Sequence, residues 1–431
     1  MFQACCAIHK QQVPSYICTY AVSQSHPDYE TEKTMAAMSS KERMRAVLNY
    51  QETDRVPLLF HSFGFNAPGR LAWSNGFEQA KTWLSLDVDA WVTMTFRGFW
   101  PRDLKIRQWK ECPAGERWPV MIKEYDTPAG VFRQEVRRTD DWISAEWPLH
   151  KHGEPHIDLL DDYNVARYRR CPVQEELDLE KLRYILMGFT NDTIRTLQRE
   201  AETTGRKAKE MGVLFAAFGA DGIADAAIWL CGVQPLILMA MEHPRLFKGL
   251  LDLLEEYEKH VLKVMLDTPV DLVLRRGYYE GTAFWSPLLY REHFMPRLKR
   301  TVDIVHEAGR HIAYTMSMGC MPLLDSFIET GYDAHFLLDP VPLGQRIDLG
   351  AVKAAFDKKI AVIGGLNEPI TMEQGTPEQI RAEVHETVQK LGAGGGLALS
   401  PAEAIVQSTP WESVLTVIDA WKEVRDYGKQ S

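Results

Sequence analysis

A set of polar side chains in this sequence follows short apolar stretches: His61, Arg97, Glu280, Ser317, Asp339, Asn367 and Glu403. Imidazole and carboxyl groups give or take protons, a guanidinium holds a carboxylate, and amides or hydroxyls orient a substrate. Glu403, His61 and Glu280 are therefore candidates for proton transfer. Arg97, Ser317, Asn367, Met316 and Asp339 are candidates for substrate contact. Each also has a plainer reading. His61 reads equally as a hydrogen-bonded core residue, Glu403 as a solvated loop carboxylate, and Arg97 as the partner of a nearby acid. Asp339 precedes Pro340 and so reads also as a turn cap. His335 alternates with Ala334 and Phe336, and packing against a helix is its expected role. Met316 and Met318 flank Ser317, and Trp91, Trp100, Trp109, Trp118 and Trp285 fall near proposed strand ends or in an irregular region. Ordinary packing explains them; an aromatic-lined pocket for a flat ligand is the functional alternative.

These residues need a scaffold, and residues 311–339 show its repeating unit. Residues 311–314 read as a strand, 315–319 as a turn, 321–329 as a helix with Gly331 at its C-cap, and 334–338 as a second strand. A strand–helix–strand unit of this length places the two strands parallel. Elsewhere the pattern repeats. Strands are expected at 54–61, 90–95, 213–217, 271–274, 360–363 and 397–400. Helices are expected at 42–50 (behind a capping-box-like Ser39 to Glu42), 77–84, 179–203, 244–266, 287–307, 377–391 and 410–427. Eight alternations predict an α/β fold, a (β/α)8 TIM barrel, with polar residues past the strand C-termini facing the site. Residues 98–175 interrupt the rhythm and read as an inserted lid region after strand 2, with a β-hairpin at 125–132. Residues 1–38 read as a flexible extension, so the barrel is expected over 39–431. Cys5-Cys6-x-x-His9 lies in that extension and is not read as a metal site.

Composition narrows the class of partner. The 431 residues are 45% hydrophobic and 25% charged, with a formal net charge of −10, which disfavours a nucleic-acid or anionic-membrane partner. No run approaches the roughly 18 apolar residues of a membrane span. The seven cysteines form no C-x-x-C pair and are odd in number, so free thiols in a reducing compartment, the cytoplasm, are expected. A homodimer is a further expectation.

Several motifs resemble the uroporphyrinogen decarboxylase-like superfamily. They are SSKERMRAVLNYQETDRVP at 39–57, WSPLLYREHFMPRLKRTVDIVHEAG at 285–309, IGGLN at 363–367 with GTPE at 375–378, and GGGLALSP at 394–401. The resemblance implies a (β/α)8 barrel and one of two chemistries: decarboxylation of porphyrinogen acetate groups without a metal, or methyl transfer to a corrinoid protein, generally with zinc. It also implies signature residues, and many are missing here. The arginine-rich stretch of the decarboxylases corresponds to residues 61–66, with no arginine until Arg70; Met94 to Arg97 stand where their aspartate is expected, and Ala402 near their late histidine. The His-x-Cys-Gly of the zinc methyltransferases corresponds to Thr315 and Ser317, with Cys320 just beyond the glycine, and the later cysteine to the stretch from Ser400 to Glu403. A relocated metal would have to use His61, Glu280, His335 or Glu403, and whether zinc binds stays open.

The leading expectation is a substrate:corrinoid methyltransferase acting on a small methylated compound, of which a methoxyaromatic is one candidate. Its corrinoid would sit on a partner protein, since no D-x-H-x-x-G cobalamin motif occurs here. The alternatives are a metal-free lyase that decarboxylates a smaller acid, with Arg97 or Arg276 on the carboxylate, and a non-catalytic tetrapyrrole-binding barrel.

Overall fold

The computed structural model describes residues 37–61, 73–96, 104–140, 159–160, 167–406 and 408–427. Arg97, Arg70, Trp100 and the extension with its Cys5, Cys6 and His9 lie outside the described residues.

Seven strands make one parallel sheet: β1 (Trp91–Thr95), β6 (Leu214–Ala220), β7 (Leu272–Arg275), β8 (His311–Thr315), β9 (Ala334–Leu338), β10 (Ala361–Leu366) and β11 (Leu397–Pro401), hydrogen-bonded in that order. The four strands between β1 and β6, namely β2 (Lys105–Glu111), β3 (Val120–Thr127), β4 (Gly130–Arg137) and β5 (Tyr168–Arg170), form a separate antiparallel sheet. β3 and β4 pair from Val120 opposite Arg137 to Thr127 opposite Gly130, a hairpin whose tip is Pro128-Ala129. Residues 54–61 were expected to be a full strand. They make only two parallel bridges, Leu58 to Leu399 and Leu59 to Asp89. The ladder stays short there, though Leu59 N–H donates to the Leu399 carbonyl at 2.8 Å and Asp89 N–H to the Leu58 carbonyl at 2.9 Å.

The parallel sheet curls around a core of alternating small and large side chains. Ala216, Ala313, Ala334, Ala361 and Ala398 share it with Trp91, Leu214, Leu272, Leu274, Phe336 and Ile363. Side chains of one inner face converge as a sheet curls, so small residues must alternate with large ones to fill it. The opposite strand faces pack on the helices; Val92, Val273, Ile312, Val362 and Leu397 belong to that outer core.

Helix boundaries follow their local signals. Ser39 and Glu42 close a capping box on helix Ser40–Leu48, and Gly331 sits in the left-handed region at φ 74° to end helix Leu324–Thr330. Pro377 and Pro244 open helices Pro377–Leu391 and Pro244–Leu266 at the residues expected. Residues 179–203 are not one helix. The chain breaks between Glu176–Leu186 and Asn191–Glu210, because Thr190 caps a new start by accepting the Thr193 N–H. Residues 287–307 are helical but contain a π turn, Tyr290–Phe294, before helix Met295–Glu307. Helices Ile223–Cys231, Val233–Glu242 and Leu349–Phe356 had no expected counterpart. The first is buried along its whole length, so it lacks the one-sided pattern that periodicity detects. Among the described residues no single helix is long and apolar enough to cross a membrane.

Candidate active site

Two bulges decide what faces the mouth at the strand C-termini. In β9, Phe336 pairs with Ile363 and Leu338 with Gly364, so Leu337 is the extra residue. Its φ is 62°, a left-handed backbone that costs a non-glycine residue roughly 1–2 kcal/mol. Phe336 and Leu337 both join the inner core, and Leu338 joins the outer one. Asp339 therefore turns inward, where simple alternation from Phe336 would have turned it to the helices. β6 repeats the device. The register slips between Phe218 and Ala220, around Gly219 at φ 136°, and Asp221 follows. Only glycine fits there, since a Cβ would lie 2.5 Å from the Phe96 carbonyl oxygen.

Asp339 is 7% exposed. Its Oδ1 accepts the Val341 N–H at 2.8 Å and the Asn367 Nδ2 at 2.9 Å. Burial raises its pKa above the usual aspartate range, against the lowering effect of these bonds. Asn367 ends β10 and is itself fixed: its Oδ1 accepts the N–H groups of Ile370 and Thr371, and its own N–H donates to Glu383 at 2.6 Å. Asp339 and Asn367, two of the expected residues, are thus brought together.

His61 lies across the mouth in an aromatic setting. Its ring is 5.6 Å from Phe336, 5.9 Å from Phe218 and 6.3 Å from Trp91. Burial, with help from the Arg276 charge, lowers its pKa to about 4, so the ring is neutral at pH 7. Arg276 follows β7. Its guanidinium lies over Phe218 and Trp229, 5.3 and 5.4 Å from the ring centroids, and Nη1 is 3.6 Å from Asp221 Oδ1.

Other expected residues are placed differently. Glu280 is fully buried, accepting Tyr314 Oη at 2.5 Å and paired with Arg275 at 3.1 Å, so it braces the outer core. Met316 is fully buried in that outer core, and its carbonyl lies 2.8 Å from His335 Nε2, so it does not line the inner face. His335 also meets the Tyr332 hydroxyl at 3.0 Å and packs on Phe327 and Phe356, the structural role expected of it. Ser317 is 2% exposed just past β8, and Glu403 is half-buried in the bend after β11. Asp221 escaped the sequence reading because its strand was expected to stop at residue 217; the Gly219-Ala220-Asp221 run after an apolar stretch was the available signal.

The zinc donor set tied to methyl transfer is not formed among the described residues. Thr315 and Ser317 offer hydroxyls instead of imidazole and thiolate, and no group of three His, Cys, Asp or Glu comes close enough to hold a metal ion. Cys320 is 1% exposed, and burial pushes its thiol up to about 11.

Comparison with known proteins agrees with this frame. The chain is 23% identical to uroporphyrinogen decarboxylase of Prochlorococcus marinus (strain MIT 9211) over 269 residues, 60% of this chain and 72% of that protein. It is 31% identical to that of Methylibium petroleiphilum over 291 residues, 63% of this chain and 69% of the relative. In fold it is similar to a methyltransferase from Methanosarcina mazei, with a TM-score of 0.55 and 16% identity over 90% of this chain and 99% of that one. Residues 173–424, which carry β6 to β11 with Arg276, Asp339 and Asn367, match the family described as uroporphyrinogen decarboxylase (URO-D), and the chain belongs to that family.

Proposed function

We propose that this chain is a carboxy-lyase for a small acid, in which Asp339 delivers the proton that replaces the departing carboxyl group. The observation carrying the reading is the placement of Asp339: a backbone bulge turns it into the mouth, and burial favours its protonated form. The balance is simple. The substrate carboxylate leaves as carbon dioxide, its bonding pair stays on the carbon, the Asp339 proton forms the new C–H bond, and solvent reprotonates the aspartate. Asn367 orients the carboxyl group, and the neutral ring of His61 offers a donor without adding charge. Glu403 and Ser317 complete the polar rim in this reading. The two bridges at Leu58 and Leu59 support counting that segment as the eighth strand of a closed barrel. A small substrate suits this mouth better than uroporphyrinogen. The carboxylates of a tetrapyrrole would call for several cations, and Arg276 is the cation that stands with His61 among the described residues. The test is carbon dioxide release from small labelled acids with no corrinoid present. Release that disappears in Asp339→Asn supports the proposal, and no release from any acid that binds sinks it.

A second reading, methyl transfer to a corrinoid protein, rests on the apolar rim. Leu288, Leu343 and Ile370 are 73%, 79% and 46% exposed, in segments that follow β7, β9 and β10. A docking partner could cover them. A bound corrinoid would supply the cobalt nucleophile that accepts the methyl group. In this chain Asp339 would then protonate the oxygen or sulfur that loses it. Methyl transfer that depends on an added corrinoid protein, without carbon dioxide release, would establish this reading over the first.

A further inference from the structure

Two adjacent arginines end β7 and meet opposite fates. Arg275 turns outward and is fully buried between Glu258 at 2.8 Å and Glu280 at 3.1 Å. Arg276 turns inward with its side chain 19% exposed. The Phe218 and Trp229 rings flank it at 5.3 and 5.4 Å, and Asp221 stands 3.6 Å away. That separation is longer than a hydrogen bond, so the ion pair orients the guanidinium without using up its fork of N–H donors. Phe218 is shared: the ring that lies under Arg276 is also 5.9 Å from His61, which in turn meets Phe336 and Trp91. A planar cation therefore stands at one edge of a cluster of three aromatic rings and an imidazole.

We propose that this is a binding site for a planar aromatic carboxylate, held by its carboxyl group on Arg276 and by its ring against the half-buried Phe218, with the buried Phe336 and Trp91 holding His61 beside it. Each half of the site rejects a different ligand. A short aliphatic acid pairs with the guanidinium but gains nothing from the half-buried Phe218 ring, whereas a neutral aromatic packs on that ring and leaves Asp221, at 3.6 Å, as the counter-charge of Arg276. The neutral state of His61 fits the same ligand, because an apolar ring packs against an uncharged imidazole at no cost in buried charge. The inference names the substrate class for the lyase reading and rests on the same mouth.

Equilibrium binding tests it apart from turnover, using benzoate, benzamide and acetate with the full-length chain and reading tryptophan fluorescence and titration calorimetry. Benzoate is expected to bind saturably, with benzamide and acetate each at least about tenfold weaker. Arg276→Met is expected to bring benzoate down to the benzamide level and Arg276→Lys to keep part of the difference, with unchanged circular dichroism in both. Phe218→Leu should weaken benzoate and leave acetate as it was, a second check if Arg276→Met fails to fold. Equal binding of benzamide and benzoate, or undiminished benzoate binding by folded Arg276→Met, overturns the proposal. Benzoate binding as expected, with no carbon dioxide released from 4-hydroxybenzoate or related acids, defeats the lyase reading and leaves the ligand class standing.

Discussion

Asn367 Nδ2 lies 2.9 Å from Oδ1 and 3.2 Å from Oδ2 of Asp339, while the amide oxygen of the same asparagine caps the backbone at Ile370 and Thr371. The capping bonds decide which way the amide faces, because only an oxygen can accept two N–H groups. The nitrogen is left to face the carboxyl group. A carboxyl group with a raised pKa is thereby held by a neighbour that cannot rotate without losing a helix start. Asp339→Asn is expected to lower the turnover rate by about a hundredfold or more with little change in melting temperature. In the parent enzyme the rate falls as pH rises through the raised pKa of Asp339, since only the protonated form donates. That alkaline limb should vanish in Asp339→Asn, and its survival would assign the acid to another group.

The bulge at Leu337 is open to a direct test. Deleting Leu337 restores simple alternation, turns Asp339 toward the helices and is expected to abolish turnover in whatever fraction still folds. Leu337→Gly keeps the bulge. It relieves roughly 1–2 kcal/mol of backbone strain but removes a side chain that is 1% exposed, at roughly 3–5 kcal/mol. A net loss of stability with turnover retained is the expected outcome, read from urea unfolding and steady-state rates.

Gly222 guards Arg276 from behind. A Cβ there would lie 2.3 Å from the Arg276 carbonyl oxygen and 2.8 Å from Asp225 Oδ2. The first of these is backbone and yields only by moving the end of β7. Gly222→Ala is therefore expected to cost about 1–3 kcal/mol and to weaken benzoate binding at the same time. Unchanged affinity would show that Arg276 is positioned independently of this contact.

Two buried histidines set a pH dependence of stability. His61 and His335 both have pKa values lowered to about 4 by burial, from an ordinary value of 6.5. The folded chain binds fewer protons than the unfolded one between those values, so this contribution is complete above pH 6.5 and is lost as pH falls toward 4. At pH 5 the loss is about 2 kcal/mol for each ring. The drop in unfolding free energy between pH 7 and pH 5 should shrink by about half of the combined effect in His335→Gln. An identical drop would show that other groups carry the acid sensitivity.

Arg275 holds two glutamates in the outer core. Glu258 also accepts Thr301 Oγ1 at 3.0 Å, and Glu280 accepts the Tyr314 hydroxyl. Arg275→Met removes the cation and leaves both carboxyl groups buried, which is expected to cost about 3–5 kcal/mol. Adding Glu258→Gln and Glu280→Gln should recover much of it, since the uncompensated charges go with them. No recovery in urea unfolding would mean that packing of the arginine stem dominates.

The sequence by itself determined the alternation of strands and helices, the capping box at Ser39, the C-cap at Gly331 and the proline starts at Pro244 and Pro377. These are local: each depends on backbone groups within a few residues, so spacing and residue type suffice. The pairing of Asp339 with Asn367 was half legible, as two polar residues past strand ends. Which of the strand-end polar residues reach the mouth was decided by the tertiary structure. Asp339 and Asp221 turned inward because a one-residue bulge in β9 and in β6 reverses every facing beyond it, and sequence alternation carries no trace of the slip. Met316 faces the outer core by plain alternation from Ala313, and Glu280 is drawn there by Arg275 and Tyr314. Burial then shifted the proton affinities. His61 is neutral at pH 7 and the pKa of Asp339 is raised because burial penalises the charged form of each, and the rings that bury His61 include Phe218 and Phe336, a relation that no local pattern encodes.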